Sequence, residues 1–181
     1  PSRGGWGRSE AVSHAIVQDL TTSGRLVEFI GQAAREALEP LCGVEVGVLG
    51  EAELPWAHPP VGIALVTVVD TSGGGFQAVV WLGGELEALA SVAEVLLGER
   101  PDGEDEMLQD AVRELTNILA GQIQRHLASV GLQMGLGLPV YVSGAKSLNV
   151  GASLASGAAV RVQVGLPDAP TLDVGFAAKE G

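Results

Sequence analysis

The same succession of elements can be read twice along this chain. A helical pattern over residues 24–42 is followed by a strand pattern at 44–50, a loop, a strand at 61–70, a turn and a strand at 76–82. About ninety residues later the order returns: a helix at 105–131, a strand at 138–143, a loop, a strand at 158–166, a turn and a strand at 171–178. Residue identity between the halves is weak, so the repeat is one of pattern. Each half would contribute one long helix and three strands to a common layered structure, because an apolar sheet face and an apolar helix stripe must cover each other. The expectation is an α/β (α+β layered) fold, internally pseudo-symmetric, with a mostly antiparallel six-stranded sheet and long helices packed on it. A further helix is predicted at 84–99.

Local signals support these assignments. In "SGRLVEFIGQAAREALEPLCG" apolar residues recur at 26, 29, 30, 33, 34, 37 and 38, Ser or Thr at 21–23 is placed to cap, and Gly43 follows the end. "VGIALVTVVD" and "FQAVVWLG" flank "TSGGG" and read as a β-hairpin rich in β-branched residues. "EAELPWAHPP" (51–60) reads as a loop stiffened by Pro55, Pro59 and Pro60. The chain length of 181 residues suits one domain with a sizeable core. We read residues 1–22 as an N-terminal extension, flexible or helical, with a short helical stretch at 10–20, and 23–181 as a single domain.

Charge narrows the function classes. Ten Lys and Arg against 22 Asp and Glu leave a formal charge of −12, with no basic run. Such a surface repels phosphate backbones, which argues against nucleic-acid binding. The longest apolar stretch, Val61 to Val69, is far shorter than the roughly 20 residues that span a bilayer. There is no apolar signal-peptide core at the start, and Cys42 is the only cysteine, so no intrachain disulfide can form. These features suggest a cytoplasmic protein.

Several candidate sites are set aside. His14, His58 and His126 show no metal-ligand spacing. His126 falls on the apolar side of its helix near the C-terminus, where the helix dipole favours it. Cys42 reads as a small buried residue. "GASLA" lacks the final Gly of a nucleophile elbow and has no His downstream. "TSGGGF" and "GAKS" lack phosphate-loop spacing. Trp56 reads as a loop anchor, and the acidic cluster Asp102, Glu104, Asp105 and Glu106 as favourable charge at a helix N-terminus.

"DAVRELTNILAG" (110–121) is different. On a helical wheel Glu114, Asn117 and Gly121 all fall within about 40° of Asp110, in one narrow stripe. Leu108, Val112, Leu115, Leu119, Ile123 and Val130 gather on the opposite side. A solvated helix face would account for the acids. It accounts less well for Asn, a poor mid-helix residue, and for Gly, which costs about 1 kcal/mol relative to Ala there. A Gly one turn after Asn on the same stripe suggests that another surface comes close.

These residues resemble the signature of the CheC/CheX chemotaxis phosphatases, and of CheX in particular: Asp or Ser, three residues, Glu, two residues, Asn, and a Pro about twenty residues on. Here they are Asp110, Glu114, Asn117 and Pro139. "LVEFIGQAAREAL" resembles the family's first helix, "ASVAEVLLGE" the helix before the signature and "LPVYVSG" the strand after it. The resemblance spans nearly all of 24–178. The first helix offers Glu28 but has Gly24 and Gly31 where the other signature residues would stand, so it implies one site per chain. It also implies a homodimer.

The resemblance further implies hydrolysis of the aspartyl phosphate of a phosphorylated CheY-like response regulator, in chemotaxis or two-component signalling. Asn117 would orient the attacking water, Glu114 would pair with the regulator's lysine, and Asp110 and Gly121 would serve partner contact. No cofactor of the chain's own is expected, since the Mg²⁺ belongs to the regulator. Two alternatives stand beside this: a non-catalytic CheX-like module that binds a response regulator or motor-related protein, and a structural dimer for which the stripe is mere surface.

Overall fold

The computed structural model describes residues 6–178 apart from 55, 57–59, 72–75, 145, 147–149, 151–152, 154–157 and 168–169. His58, residues 72–75 of the "TSGGG" turn and most of the 145–157 loop, with parts of "GAKS" and "GASLA", lie outside the described residues. The chain order is α1 (Trp6–Thr22), α2 (Arg25–Cys42), β1 (Gly47–Ala52), β2 (Gly62–Asp70), β3 (Gln77–Gly84), α3 (Leu86–Leu97), α4 (Glu106–Ser129), β4 (Met134–Leu136), β5 (Val140–Ser143), β6 (Ala159–Gly165) and β7 (Leu172–Ala178).

All pairings in the sheet are antiparallel, in the order β1-β6-β7-β3-β2-β4, with β5 also on β2. Exchanging the halves (β1 for β5, β2 for β6, β3 for β7) returns the same order read backwards. The doubled pattern in the sequence is thus a two-fold pseudo-symmetry in space. Its axis passes between β3 and β7, and each half's first strand pairs with the other half's hairpin.

The sheet has seven strands where the sequence predicts six. Both β4 and β5 run along β2: Leu136 stands opposite Val68, and Val140 opposite Leu65. They are two pieces of one edge strand, broken at residues 137–139. Pro139 has no N–H for the ladder. The three residues of β4 are too few to show an alternating pattern.

The helices cover one face of the sheet. Leu26, Ile30, Ala34 and Leu38 of α2 and Leu108, Val112, Leu115, Leu119 and Ile123 of α4 are buried against Val66, Val80, Val162, Val174 and Phe176. Helix α1 shares this core through Val17 and Leu20, and Ser13 Oγ donates to Asp70 Oδ2 at 2.8 Å. Residues Thr21–Ser23 end α1 and do not cap α2. Their hydroxyls donate back to the carbonyls of Val17, Gln18 and Leu20, and Gly24, in the left-handed region at φ 76°, makes the break.

The other face carries a smaller core of Trp56, Ile63, Trp81 and Ala177. Trp56 is buried as the expected anchor, edge-on to Trp81 with centroids 6.2 Å apart. Arg161 fastens it: Nε donates to Asp173 Oδ1 at 2.8 Å, Nη1 to the Glu53 carbonyl at 2.9 Å, and the guanidinium lies 5.9 Å from the Trp56 ring.

His126 is a structural histidine between α2 and α4. Its ring stacks on Phe29 with centroids 5.4 Å apart, and Nε2 lies 3.2 Å from Glu36 Oε2. The Glu36 carboxyl is held below the usual carboxylate range, first by a hydrogen bond from Gln32, which desolvation partly offsets, and further by His126 and Arg125. A carboxyl depressed in the folded state adds stability that is present above its unfolded pKa and lost as pH falls through its folded one. Glu36→Gln should therefore lower the melting temperature at neutral pH. In thermal melts across pH, the gap from wild type should close on acidification below the ordinary carboxylate pKa. A gap that stays constant to low pH would contradict this.

Candidate docking and catalytic face

Helix α4 is firmly started. Asp105 is its N-cap, with Oδ1 accepting the Leu108 N–H at 2.8 Å, and Glu106 follows in the first turn. Glu104 accepts a 2.9 Å hydrogen bond from the Tyr141 hydroxyl. Burial, then the Glu104 bond and charge, push the Tyr141 phenol well above its ordinary pKa, so it remains a donor. The acidic cluster thus caps and ties the helix. The described residues contain no group of three or more His, Cys, Asp or Glu placed to hold a metal ion.

The predicted stripe lies on the outer side of α4. Asp110 and Glu114 are exposed, Asn117 and Gly121 half-buried, while Leu115, Thr116, Leu119 and Ala120 face inward. Asp110 is already engaged, in an ion pair with Arg113. Among the described residues, the side chains of Glu114 and Asn117 have no hydrogen-bond or ion-pair partner. They project one turn apart from a rigid, well-capped helix. A Cβ built on Gly121 would meet nothing within 4 Å. The chain's own packing therefore does not require glycine there, and its helix-propensity cost of about 1 kcal/mol is left without an intramolecular reason.

The pseudo-symmetric position on α2 is packed differently. Gly24, Glu28, Gly31 and Arg35 hold the places of Asp110, Glu114, Asn117 and Gly121, each 86 residues earlier. Gly31 is buried, and a Cβ there would lie 3.2 Å from Val48 Cγ1. Val48 of β1 thus leaves no room at Gly31 for a side chain the size of Asn117. A hollow of about 550 Å³ lies beside it on α2, bordered by Glu28, Gly31, Gln32, Arg35, Val48 and His126.

The edge strand follows α4 antiparallel. Gln124 Nε2 donates to the Met134 carbonyl near one end, and Tyr141 bonds Glu104 at the other. This sets the break containing Pro139, which is half-buried, beside the middle of the stripe.

The pattern of the family described as chemotaxis phosphatase CheX matches residues 65–159, which include the whole stripe and the edge strand. The chain belongs to the CheX family. Solved structures share the fold. CheX from Vibrio vulnificus superposes with a TM-score of 0.69 at 18% identity, covering 86% of this chain and 99% of that one. The CheX–CheY–BeF3–Mg complex from Borrelia burgdorferi gives 0.67 at 21%, covering 86% and 98%. A chain of the FliM–SpeE complex from H. pylori gives 0.62 at 8%, covering 88% and 87%. No curated protein matches at a significant level. No helix among the described residues of this CheX-family chain is long and apolar enough to cross a membrane.

Two further residues of this face are exposed and apolar. Met107 lies within about 60° of Asp110 on the same wheel. It is 41% exposed, and Leu138 is 87% exposed. Met107 reads as one more apolar helix position, and Leu138 as the start of a strand. The wheel already sets Met107 on the outer side, while only the fold places Leu138 in solvent.

Proposed function

We propose that this CheX-family chain hydrolyses the aspartyl phosphate of a CheY-type response regulator. The observation that carries the reading is the free pair Glu114 and Asn117, one turn apart on an exposed face with Gly121 open beside it. Family membership supports it, as does the Borrelia burgdorferi structure in which a CheX stands with CheY, BeF3 and Mg.

The chemistry asks little of this chain. An aspartyl phosphate is an activated acyl phosphate whose carboxylate is a good leaving group. Water attacks phosphorus, the bond from phosphorus to the aspartyl oxygen breaks, and inorganic phosphate departs while the water's protons pass to phosphate and solvent. A positioned water is the main need, since placement can contribute much of the barrier reduction in phosphoryl transfer. The Asn117 carboxamide can accept a hydrogen bond from that water through its oxygen and donate through its nitrogen. Glu114 supplies a carboxylate for a lysine ammonium beside the phosphorylated aspartate, which fixes the register. A Mg²⁺ held by the regulator would offset the charge on the phosphoryl oxygens. Asp110 and Gly121 contribute contact area.

The test is the decay of phosphorylated CheY-type receivers mixed with the protein. Wild type should accelerate it. Glu114→Ala should raise the regulator concentration needed for half-maximal acceleration by about tenfold, the scale of one charge-assisted contact. Binding of the phosphorylated receiver without faster decay would point to the non-catalytic module. Neither binding nor acceleration would leave the stripe as solvated surface.

A further inference from the structure

We propose that Leu138, flanked by Met107, is the apolar anchor on which the phosphorylated receiver docks. This rests on the phosphatase reading and adds a partner-binding residue to the same face.

The observation is a bulge. Three steps on β2 lead from Val68 to Leu65, but four on the edge strand lead from Leu136 to Val140. The extra residue lies within 137–139. The Gly137 N–H donates to the Thr67 carbonyl at 2.7 Å, Pro139 has no N–H to give, and Leu138 between them is turned outward to 87% exposure. Bulges of this kind re-aim side chains and are frequent beside functional sites. The opposite edge repeats the device: the register of β1 on β6 shifts between Val48 and Gly50, and Leu49 is 61% exposed.

The two faces are not equivalent. Beside Leu49, Val48 closes over Gly31. Beside Leu138 the helix stays open. Gln124 stands two turns after Asn117 on the same side of the helix, and it bonds Met134, so the edge strand lies on the Asn117 side of α4. Leu138 is four residues beyond Met134, roughly 13 Å along a strand. That distance matches about nine residues of helix back from Gln124, which sets Leu138 level with the turn from Glu114 to Asn117. Met107 stands on the stripe one turn before Asp110. Two exposed apolar side chains therefore share the face of the free Glu114/Asn117 pair, Met107 before it along the helix and Leu138 level with it, so that polar specificity groups stand beside apolar anchors.

Charge decides the occupant. A second copy meeting this face by a two-fold axis would set the unpaired Glu114, with the exposed Asp102, Glu104 and Glu106 nearby, against their own images. A receiver that offers a lysine to Glu114 meets no such opposition.

The experiment titrates wild type, Leu138→Ser, Met107→Ser and Asn117→Ala with each CheY-type receiver of the same genome, charged with beryllofluoride and Mg²⁺, and follows decay of the phosphorylated forms. Leu138→Ser should raise Kd about five- to tenfold and Met107→Ser about twofold. At saturating regulator both should keep the wild-type maximal rate within about twofold, and their melting temperature and sedimentation should be unchanged. Asn117→Ala should do the reverse, keeping Kd and losing the rate. If wild type binds and accelerates decay but Leu138→Ser binds as tightly, the anchor is refuted and the phosphatase reading stands. If Leu138→Ser alters the oligomeric state and not Kd, the patch belongs to a second copy and the proposal fails. If wild type neither binds nor accelerates decay with any receiver, the phosphatase reading falls and the anchor with it.

Discussion

Asn117→Ala should lose the accelerated decay of a phosphorylated regulator by about 100-fold or more while making the protein slightly more stable. The two effects have separate causes. The loss follows because an alanine can neither accept nor donate a hydrogen bond, and one preorganised polar group at a reacting centre is commonly worth about 10²–10³ in rate. The gain follows because Asn117 is half-buried, mid-helix and unpartnered among the described residues, so its replacement by the best helix former returns about 0.5 kcal/mol. A structural asparagine would behave oppositely, costing stability when removed. Two variants sharpen the test. Asn117→Gln carries the amide one methylene further and should recover little rate. Asn117→Asp sets a second anion before the phosphoryl group and should recover none. The measurement pairs single-turnover decay at saturating regulator with thermal melts. A variant that is less stable yet retains its maximal rate would show Asn117 to be a packing residue.

The second large effect concerns folding and lies on the far face of the sheet. Gly175 stands opposite Trp81 in the β3–β7 pairing, and a Cβ built on it would fall 2.0 Å from Trp81 Cζ2 and 2.5 Å from Cε2 and Cη2. Trp81 is fully buried and held edge-on by Trp56, so the ring has nowhere to retreat. Gly175→Ala should destabilise by about 3 kcal/mol, the upper end for overpacking, which lowers Tm by about 6–12 °C in a protein of this size. Trp81→Leu alone also costs, through lost burial, but the double variant should be much more stable than the sum of the two changes implies. Strict additivity would refute the steric account, because non-interacting sites add. Activity in the soluble Gly175→Ala fraction should be near normal, since the helix face that carries Asn117 is on the other side of the sheet.

Much of the chain is legible without the fold, for reasons that differ by element. Helix α4 declares itself because Asp105, the apolar positions from Leu108 to Ile123 and Gly131 are all local signals, and the same periodicity that buries one side assigns Asp110, Glu114, Asn117 and Gly121 to the other. The β2–β3 hairpin is equally plain from its β-branched runs. Local signals also mislead. Thr21, Thr22 and Ser23 have the composition of an N-cap, but a hydroxyl that can cap one helix can equally bond back to the carbonyls of the helix before it, and here it does. Strand β4 leaves no periodic trace because Met134–Leu136 is shorter than one cycle of detectable alternation.

Short-range physics is enough to settle which side of each element is apolar, the order of elements, the acidic surface, and the spacing that resembles a phosphatase signature. These depend on residues two, three or four positions apart, and their causes are complete within one helix turn or one strand. The choice of neighbours comes only with the assembled sheet. Strand β1 pairs with β6 across more than a hundred residues, Val48 packs against Gly31 on the α2 counterpart of the site, and one extra residue against β2 turns Leu138 into the solvent. None of these is a property of the segment in which it occurs. Each arises because closing a sheet fixes the register between distant strands, and register determines which side chains are covered and which are left free to meet a partner.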